Sequence, residues 1–223
     1  MTKRTKSTAK VMAVLAGGVL LVGTSLALAG PKDKTDKGKH HNQTAAPANA
    51  KIGEPAPNFT LKDSEGNEHR LSDYAGKVVV LTWFNSDCPF VKLHYEKQTT
   101  VVDLYNSYKS KNVAVLAINS TNPKNPSYGK DSAAKKNWKI DFPILVDSDG
   151  KVGRMYGAKT TPHCFVIDKN GILAYAGAMD NDPKNEKTGS AKENYVREAV
   201  DSLLAGKKVA TTETKPYGCS VKY

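Results

Sequence analysis

The sequence predicts an α/β protein: a central mixed β-sheet flanked by helices, with a β-hairpin at its amino-terminal side. Three stretches carry that prediction. KVVVLTWF, residues 77–84, is an almost unbroken β-branched and aromatic run, the pattern of a strand covered on both faces. The following residues, 89–110, place Phe90, Leu93, Val101, Leu104, Tyr105 and Tyr108 at spacings near three and four, which predicts one amphipathic helix. VAVLAI, residues 113–118, is a second buried strand, and strand, helix, strand in that order is a parallel crossover unit.

The other elements follow in chain order. Residues 57–76 alternate apolar and polar residues around Glu65, Gly66 and Asn67, which predicts the hairpin. Beyond the crossover come a short helix in KDSAAKKNW, a strand in FPILVD, a turn at DSDG and a helical turn in VGRMYG. TTPHCFVIDKNGILAYAGA gives two strands joined by a turn at Lys169, Asn170 and Gly171. ENYVREAVDSLLAG is a closing helix, stopped at Gly206.

Ahead of this domain lies a segment of a different kind. MTKRTKSTAK is basic and free of acids, an apolar stretch follows, and small residues precede Ala29, so residues 1–29 are expected to be a secretory signal peptide cleaved after Ala29. Residues 30–50 carry almost no large apolar side chain and are expected to be a flexible linker, in which His40 and His41 lack further metal ligands. The folded domain is then expected over 51–208, with a tail over 209–223. An exported protein, in the periplasm or outside the cell and with no stable membrane insertion after cleavage, is the resulting expectation.

The 223 residues hold 33 Lys and Arg against 22 Asp and Glu; loss of Lys3, Arg4, Lys6 and Lys10 with the signal leaves 29 against 22, a balance of +7. The basic residues are scattered, without an arginine-rich helix or a basic and aromatic platform. That pattern reads as a solvated surface and excludes nucleic acid as the expected partner.

Cys88, Cys164 and Cys219 permit at most one internal disulfide and leave one thiol over. Cys88 lies beyond the carboxyl end of a buried strand, where open α/β sheets place their sites, and just before Pro89, which suits the first helical position. Unpaired amides and the positive end of the helix dipole meet there, so the thiol is expected to be acidic, reactive and kept out of the core by the short NSD spacer. Cys164 alternates with His163 and Phe165 and is expected to face the packed sheet. His94 lies six residues after Cys88, a spacing that is not one helical face, and is expected at the surface.

The pieces GEPAPNFTLKDSEGNEHRLSDYAGKVVVLTWF, DCPF, TTPHCFVIDKNG and KPYGCSVKY, together spanning about residues 51–208 and the tail, resemble the thioredoxin-fold redoxins shared by peroxiredoxins and exported thiol-disulfide proteins. More narrowly, the chain resembles a peroxiredoxin-like subgroup that joins a C-P-F/Y-V motif to a terminal G-C-S-I/V-K motif. The resemblance implies a thioredoxin-like fold and an antioxidant or thiol-disulfide activity with Cys88 as nucleophile. It also implies Thr161 and Pro162 as a cis-proline element; Asn85, Pro89, Thr161, Pro162 and His163 are the expected substrate-positioning residues, with His163 equally readable as a satisfied strand histidine. Cys219 is implied as the resolving partner that attacks a sulfenic acid or mixed disulfide at Cys88. The expected partners are a peroxide or a protein or small-molecule disulfide, and an external thiol reductant; no metal and no cofactor is called for.

Two departures stand out. Asn85 occupies the place of the hydroxyl residue three before a peroxidatic cysteine, and Leu81 that of the upstream proline. Val91 stands where a C-x-x-C motif would have its second cysteine, so exchange within the motif is impossible. Two further readings stay open: a copper-binding or chaperone module using Cys88 with His94 or His163, and an inactive adaptor domain.

Overall fold

The computed structural model describes residues 49–223; the expected signal peptide and nearly all of the expected linker lie outside the described residues. The chain enters at Ala50, whose amide bonds the Met155 carbonyl at 3.0 Å. Strands β1 (Thr60–Asp63) and β2 (Glu68–Arg70) then form the antiparallel hairpin. Its turn is closed by Asp63, whose carboxylate accepts from the amides of Glu65 and Asn67 and from the His69 ring.

Strand β3 (Val78–Trp83) is buried at every position, as is β4 (Val113–Asn119), and the two pair in parallel from Val78 with Val113 to Trp83 with Ile118. β5 (Ile144–Val146) adds in parallel to β4 and in antiparallel to β1. β7 (Cys164–Ile167) and β8 (Leu173–Gly177) complete the other side in antiparallel, giving the order β2-β1-β5-β4-β3-β7-β8. The fully buried runs sit at the centre of this order, with apolar clusters on both faces, as their unbroken hydrophobicity requires.

The helix expected over 89–110 is broken. A short α1 (Pro89–Lys92) widens into a π-helical turn at Leu93–Lys97, and α2 (Thr100–Tyr108) starts afresh after Thr99, whose φ of 51° is left-handed. The wide turn is seen in the bond from the Gln98 amide to the Leu93 carbonyl, at 2.8 Å. It turns His94 and Tyr95, adjacent in sequence, both into the interior. The surface position expected of His94 is therefore corrected: its accessibility is 0%.

α3 (Asp131–Asn137) and α4 (Lys151–Tyr156) fall where the sequence put them, and α5 (Tyr195–Leu204) starts on an Asn194 side chain that caps the Arg197 amide. Asp147 plays the same part for α4, accepting from the amides of Val152 and Gly153 and from the Ser120 hydroxyl.

The segment expected to be a tail is instead part of the fold. Thr212 to Thr214 run beside β8, where the Thr214 hydroxyl accepts from the Ala178 amide at 2.9 Å and a Cβ on Gly177 would overlap it. Further on, β9 (Cys219–Ser220) pairs in antiparallel with β6 (Thr160–Thr161). The last residue is held as well, because Tyr223 donates to the Ala158 carbonyl at 2.8 Å under the Arg154 guanidinium. Its ring fills the space that a side chain on Gly153 would need. Among the described residues, no helix is long and apolar enough to cross a membrane.

Candidate active site

Cys88 sits at the N-cap of α1, with Pro89 exposed at the first helical position, so β3 and the loop Phe84–Asp87 deliver it to the sheet's carboxyl edge. That loop is rigidly tied. The Asn85 carbonyl accepts from the Cys88 amide at 3.0 Å, the Asn85 side-chain oxygen accepts from the Asp87 amide, and its nitrogen donates to the Thr121 hydroxyl at 2.9 Å. Asn85, a residue expected to position substrate, has its side chain bonded to the Asp87 amide and to Thr121, and its carbonyl bonded to the Cys88 amide. Asp87 is fixed from outside by Lys130 at 2.6 Å, a charge-assisted bond that holds its carboxyl below the ordinary range.

The sulfur was expected to face solvent, but only 3% of Cys88 is exposed, because the carboxyl-terminal strand lies over it. Its surroundings are polar nonetheless. As a thiol it donates to the Thr161 carbonyl at 2.9 Å. Burial opposes the thiolate, but donors from the Cys219 thiol, the Thr161 side chain and the amides of Val91 and Cys219 converge on the sulfur and outweigh it. The net effect is a Cys88 thiol more acidic than ordinary. Cys219 moves the opposite way, up to about 11, through its own burial and the neighbouring Cys88 sulfur. The pair thus shares its protons unequally: Cys88 ionises first, with the Cys219 thiol donating to it.

The Thr161–Pro162 bond is cis, and Thr161 faces Cys219 in the β6–β9 ladder while its carbonyl accepts from the Cys88 thiol, so Thr161 links the two cysteines beside the cis bond. His163 stands behind that ladder. Its Nδ1 accepts from the Lys159 amide at 3.2 Å, its ring lies on Phe165, and burial together with Lys159 depresses its pKa to about 4. A neutral imidazole with that partner holds the loop and leaves the Cys88 thiol to its other donors. Cys164 is fully buried beside Thr82, and desolvation pushes its thiol up to about 12. It is a core residue.

A second buried polar group gathers around Tyr217, two residues before Cys219. Tyr217 donates to the buried Asp180 carboxylate at 2.5 Å, so its oxygen is left to accept from His94 Nε2 at 2.9 Å, which sets the imidazole tautomer. Burial lowers the His94 pKa against the pull of Asp180, so the 3.9 Å approach of these two is not an ion pair. Lys192 is the cation near Asp180, at 3.8 Å. Phe90 packs edge-on against the Tyr217 ring, linking this group to the helix that begins at Cys88. The signal available in the sequence was a tyrosine two residues before Cys219, which no local period explains. No group of three or more metal-ligating side chains occurs among the described residues.

Residues 52–176 match the AhpC/TSA family. A protein named thiol-disulfide oxidoreductase ResA from Geobacillus thermodenitrificans (strain NG80-2) is 37% identical over 152 residues, covering 68% of this chain and 78% of that one. Another of that name, from Bacillus thuringiensis subsp. konkukian (strain 97-27), is 30% identical over 149 residues, or 66% and 77% of the two chains. Among solved structures, a hypothetical protein from Sinorhizobium meliloti 1021 superposes with a TM-score of 0.68 at 31% identity, over 78% of this chain and 94% of that one. An uncharacterized conserved protein from Geobacillus kaustophilus gives 0.69 at 30% identity, over 78% and 92%. With its mixed sheet flanked by helices, its cis-proline ladder and a match over more than half its length, the chain belongs to the AhpC/TSA family and has a thioredoxin-like fold.

Proposed function

We propose that this thiol oxidoreductase works by disulfide exchange, with Cys88 as nucleophile and Cys219 as resolving thiol. The observation that supports the reading is the β6–β9 register, which pairs Cys219 with Thr161, the residue whose carbonyl accepts from the Cys88 thiol at 2.9 Å. The Cys88 thiolate attacks one sulfur of a substrate disulfide, and the other sulfur leaves as a thiolate. Cys219, deprotonated, then attacks the Cys88 sulfur, the substrate's remaining sulfur leaves, and a Cys88–Cys219 disulfide remains. An external dithiol reverses the last change and is itself oxidised to a disulfide. The amide of Val91 and the donors on the ladder stabilise charge on the Cys88 sulfur at each stage.

A peroxide could supply the oxidation in place of a disulfide, its O–O bond breaking as Cys88 becomes a sulfenic acid. The site favours the first reading. The residue standing where a peroxidatic site has its hydroxyl is Asn85, and its amide is turned to Thr121. Copper binding is disfavoured on similar grounds, since His94 is bonded to Tyr217 and His163 to the Lys159 amide. An inactive adaptor would have no use for a second thiol aligned on the first.

Export belongs to the same proposal: the basic and apolar opening, the cleavage after Ala29 and the tether to residue 50 would put the thiol pair where disulfides form. The test is turnover of a model protein disulfide with dithiothreitol as reductant. Cys88→Ser is expected to abolish catalysis, and Cys219→Ser, reduced and then freed of dithiothreitol before substrate is added, to accumulate a mixed disulfide between Cys88 and the substrate. Undiminished turnover by Cys88→Ser would refute the assignment.

A further inference from the structure

The short β6 edge, Thr160–Thr161, runs into the cis-proline loop beside Cys88, and the protein's own carboxyl-terminal segment pairs with it. Thr160 pairs with Ser220 and Thr161 with Cys219, the Val221 amide donates to the Lys159 carbonyl at 3.1 Å, and the Thr161 hydroxyl approaches the Cys219 carbonyl at 3.4 Å. This is strand addition in cis. The fit has one strict requirement. Gly218, immediately before Cys219, adopts a φ of 135°, and a Cβ there would overlap the Thr161 carbonyl oxygen, the same atom that accepts from the Cys88 thiol.

Resting on the nucleophile assignment above, we propose that residues 218–221 occupy the place of the polypeptide substrate, with Cys219 standing where the substrate's reactive cysteine stands. The substrate class is an extended polypeptide segment in which glycine immediately precedes a disulfide-bonded cysteine. Such a segment displaces the terminal strand, pairs with β6 and presents its sulfur to Cys88. The substrate segment then lifts from the edge while still joined through its sulfur, the terminal strand re-pairs there, and Cys219 attacks the Cys88 sulfur from the side opposite the substrate sulfur, which leaves as a thiolate. One edge therefore serves both half-reactions, and a side chain before the cysteine is rejected by the Thr161 carbonyl.

The probe is a nonapeptide of sequence KPYGCSVKY, its cysteine activated as a mixed disulfide with 5-thio-2-nitrobenzoate. It is compared with the same peptide carrying alanine before the cysteine. Cys88 attacks the peptide sulfur, the thionitrobenzoate anion leaves and is read by absorbance, and the peptide stays on Cys88 in full-length Cys219→Ser protein. The glycine peptide is expected to react about tenfold faster than the alanine peptide. Adding Gly218→Ala to the Cys219→Ser chain, which lifts the terminal strand from the edge, is expected to speed the glycine peptide by a similar factor. Should that double variant not fold, the two-peptide comparison on Cys219→Ser decides alone. Equal rates for the two peptides, with Cys88 still reacting with Ellman's reagent, overturn this proposal and leave the nucleophile assignment standing. Failure of Cys88 to react with Ellman's reagent at all overturns both.

Discussion

Thr161 and Cys219 face each other across the β6–β9 ladder, and the Cys88 sulfur lies against both, 2.9 Å from the Thr161 carbonyl and within hydrogen-bonding reach of the Cys219 thiol. The site's reactivity and its cover thus come from one contact. The strand that shields Cys88 is the strand that brings donors to it.

The first consequence concerns the acidity of Cys88. Donation from Cys219 helps to offset burial, so the alkylation rate of Cys88 against pH should show a midpoint below the ~8.5 of a free cysteine. Cys219→Ala removes a donor and should move the midpoint upward. Rates of iodoacetamide labelling, read by mass spectrometry at Cys88, check both; a midpoint unchanged by the substitution would show that Cys219 does not act on this sulfur.

Cys164 should be silent in the same experiment. Fully buried, with its pKa pushed up to about 12, it is expected to label only after denaturation. Labelling of Cys164 in the native protein at a rate near that of Cys88 would contradict its placement in the core.

Tyr217 is the latch of the terminal segment. Tyr217→Phe removes a hydroxyl that satisfies both Asp180 and His94, two groups that are fully buried. Asp180 keeps the Asp182 amide, but the buried His94 Nε2 loses its acceptor, which costs about 2 kcal/mol and corresponds to a fall of roughly 4–8 °C in Tm for a domain of this size. The same variant should raise the alkylation rate of Cys88, because its cover is loosened. Calorimetry and labelling together distinguish this from a general loss of packing, which would lower Tm without exposing Cys88 selectively.

Stability should also respond to pH through His163. Its folded pKa, about 4, lies below that of an unfolded histidine, ~6.5, so as pH falls through 6.5 the unfolded chain binds a proton that the folded chain refuses. Stability is therefore intact above pH 6.5 and is lost progressively down to pH 4, by roughly 3 kcal/mol for this group. His94, also lowered, adds in the same direction, whereas Asp131 and Asp147, raised by burial, oppose it toward the acid end. His163→Gln should flatten the fall in Tm between pH 7 and 4.5; an unchanged slope would show that His163 is not the titrating group.

The parts of this arrangement that were legible in the sequence are those fixed by local pattern. The buried runs of β3 and β4, the turn at Lys169 to Gly171 and the closing helix α5 each follow from a few adjacent residues, and Cys88 before Pro89 marks the strand-to-helix junction. The missed parts depend on partners far along the chain. His94 was misplaced because a regular α-helical period was assumed where the chain makes a π turn to bring it onto Tyr217. The bond that holds the Asn85 side chain is not legible locally, because Thr121 belongs to a loop after β4. The cover over Cys88 was invisible for the same reason: a polar terminal segment has no apolar period, and its docking rests on backbone pairing and on the close fits at Gly153, Gly177 and Gly218.

The central claim is that Cys88 and Cys219 act as a pair, and a disulfide map of the protein tests it most directly. After one equivalent of oxidant under native conditions, non-reducing peptide mass analysis should find Cys88 joined to Cys219 in nearly all molecules, with Cys164 still a free thiol. A Cys88 joined to Cys164, or left as an unresolved sulfenic acid or external adduct while Cys219 remains reduced, would contradict the account.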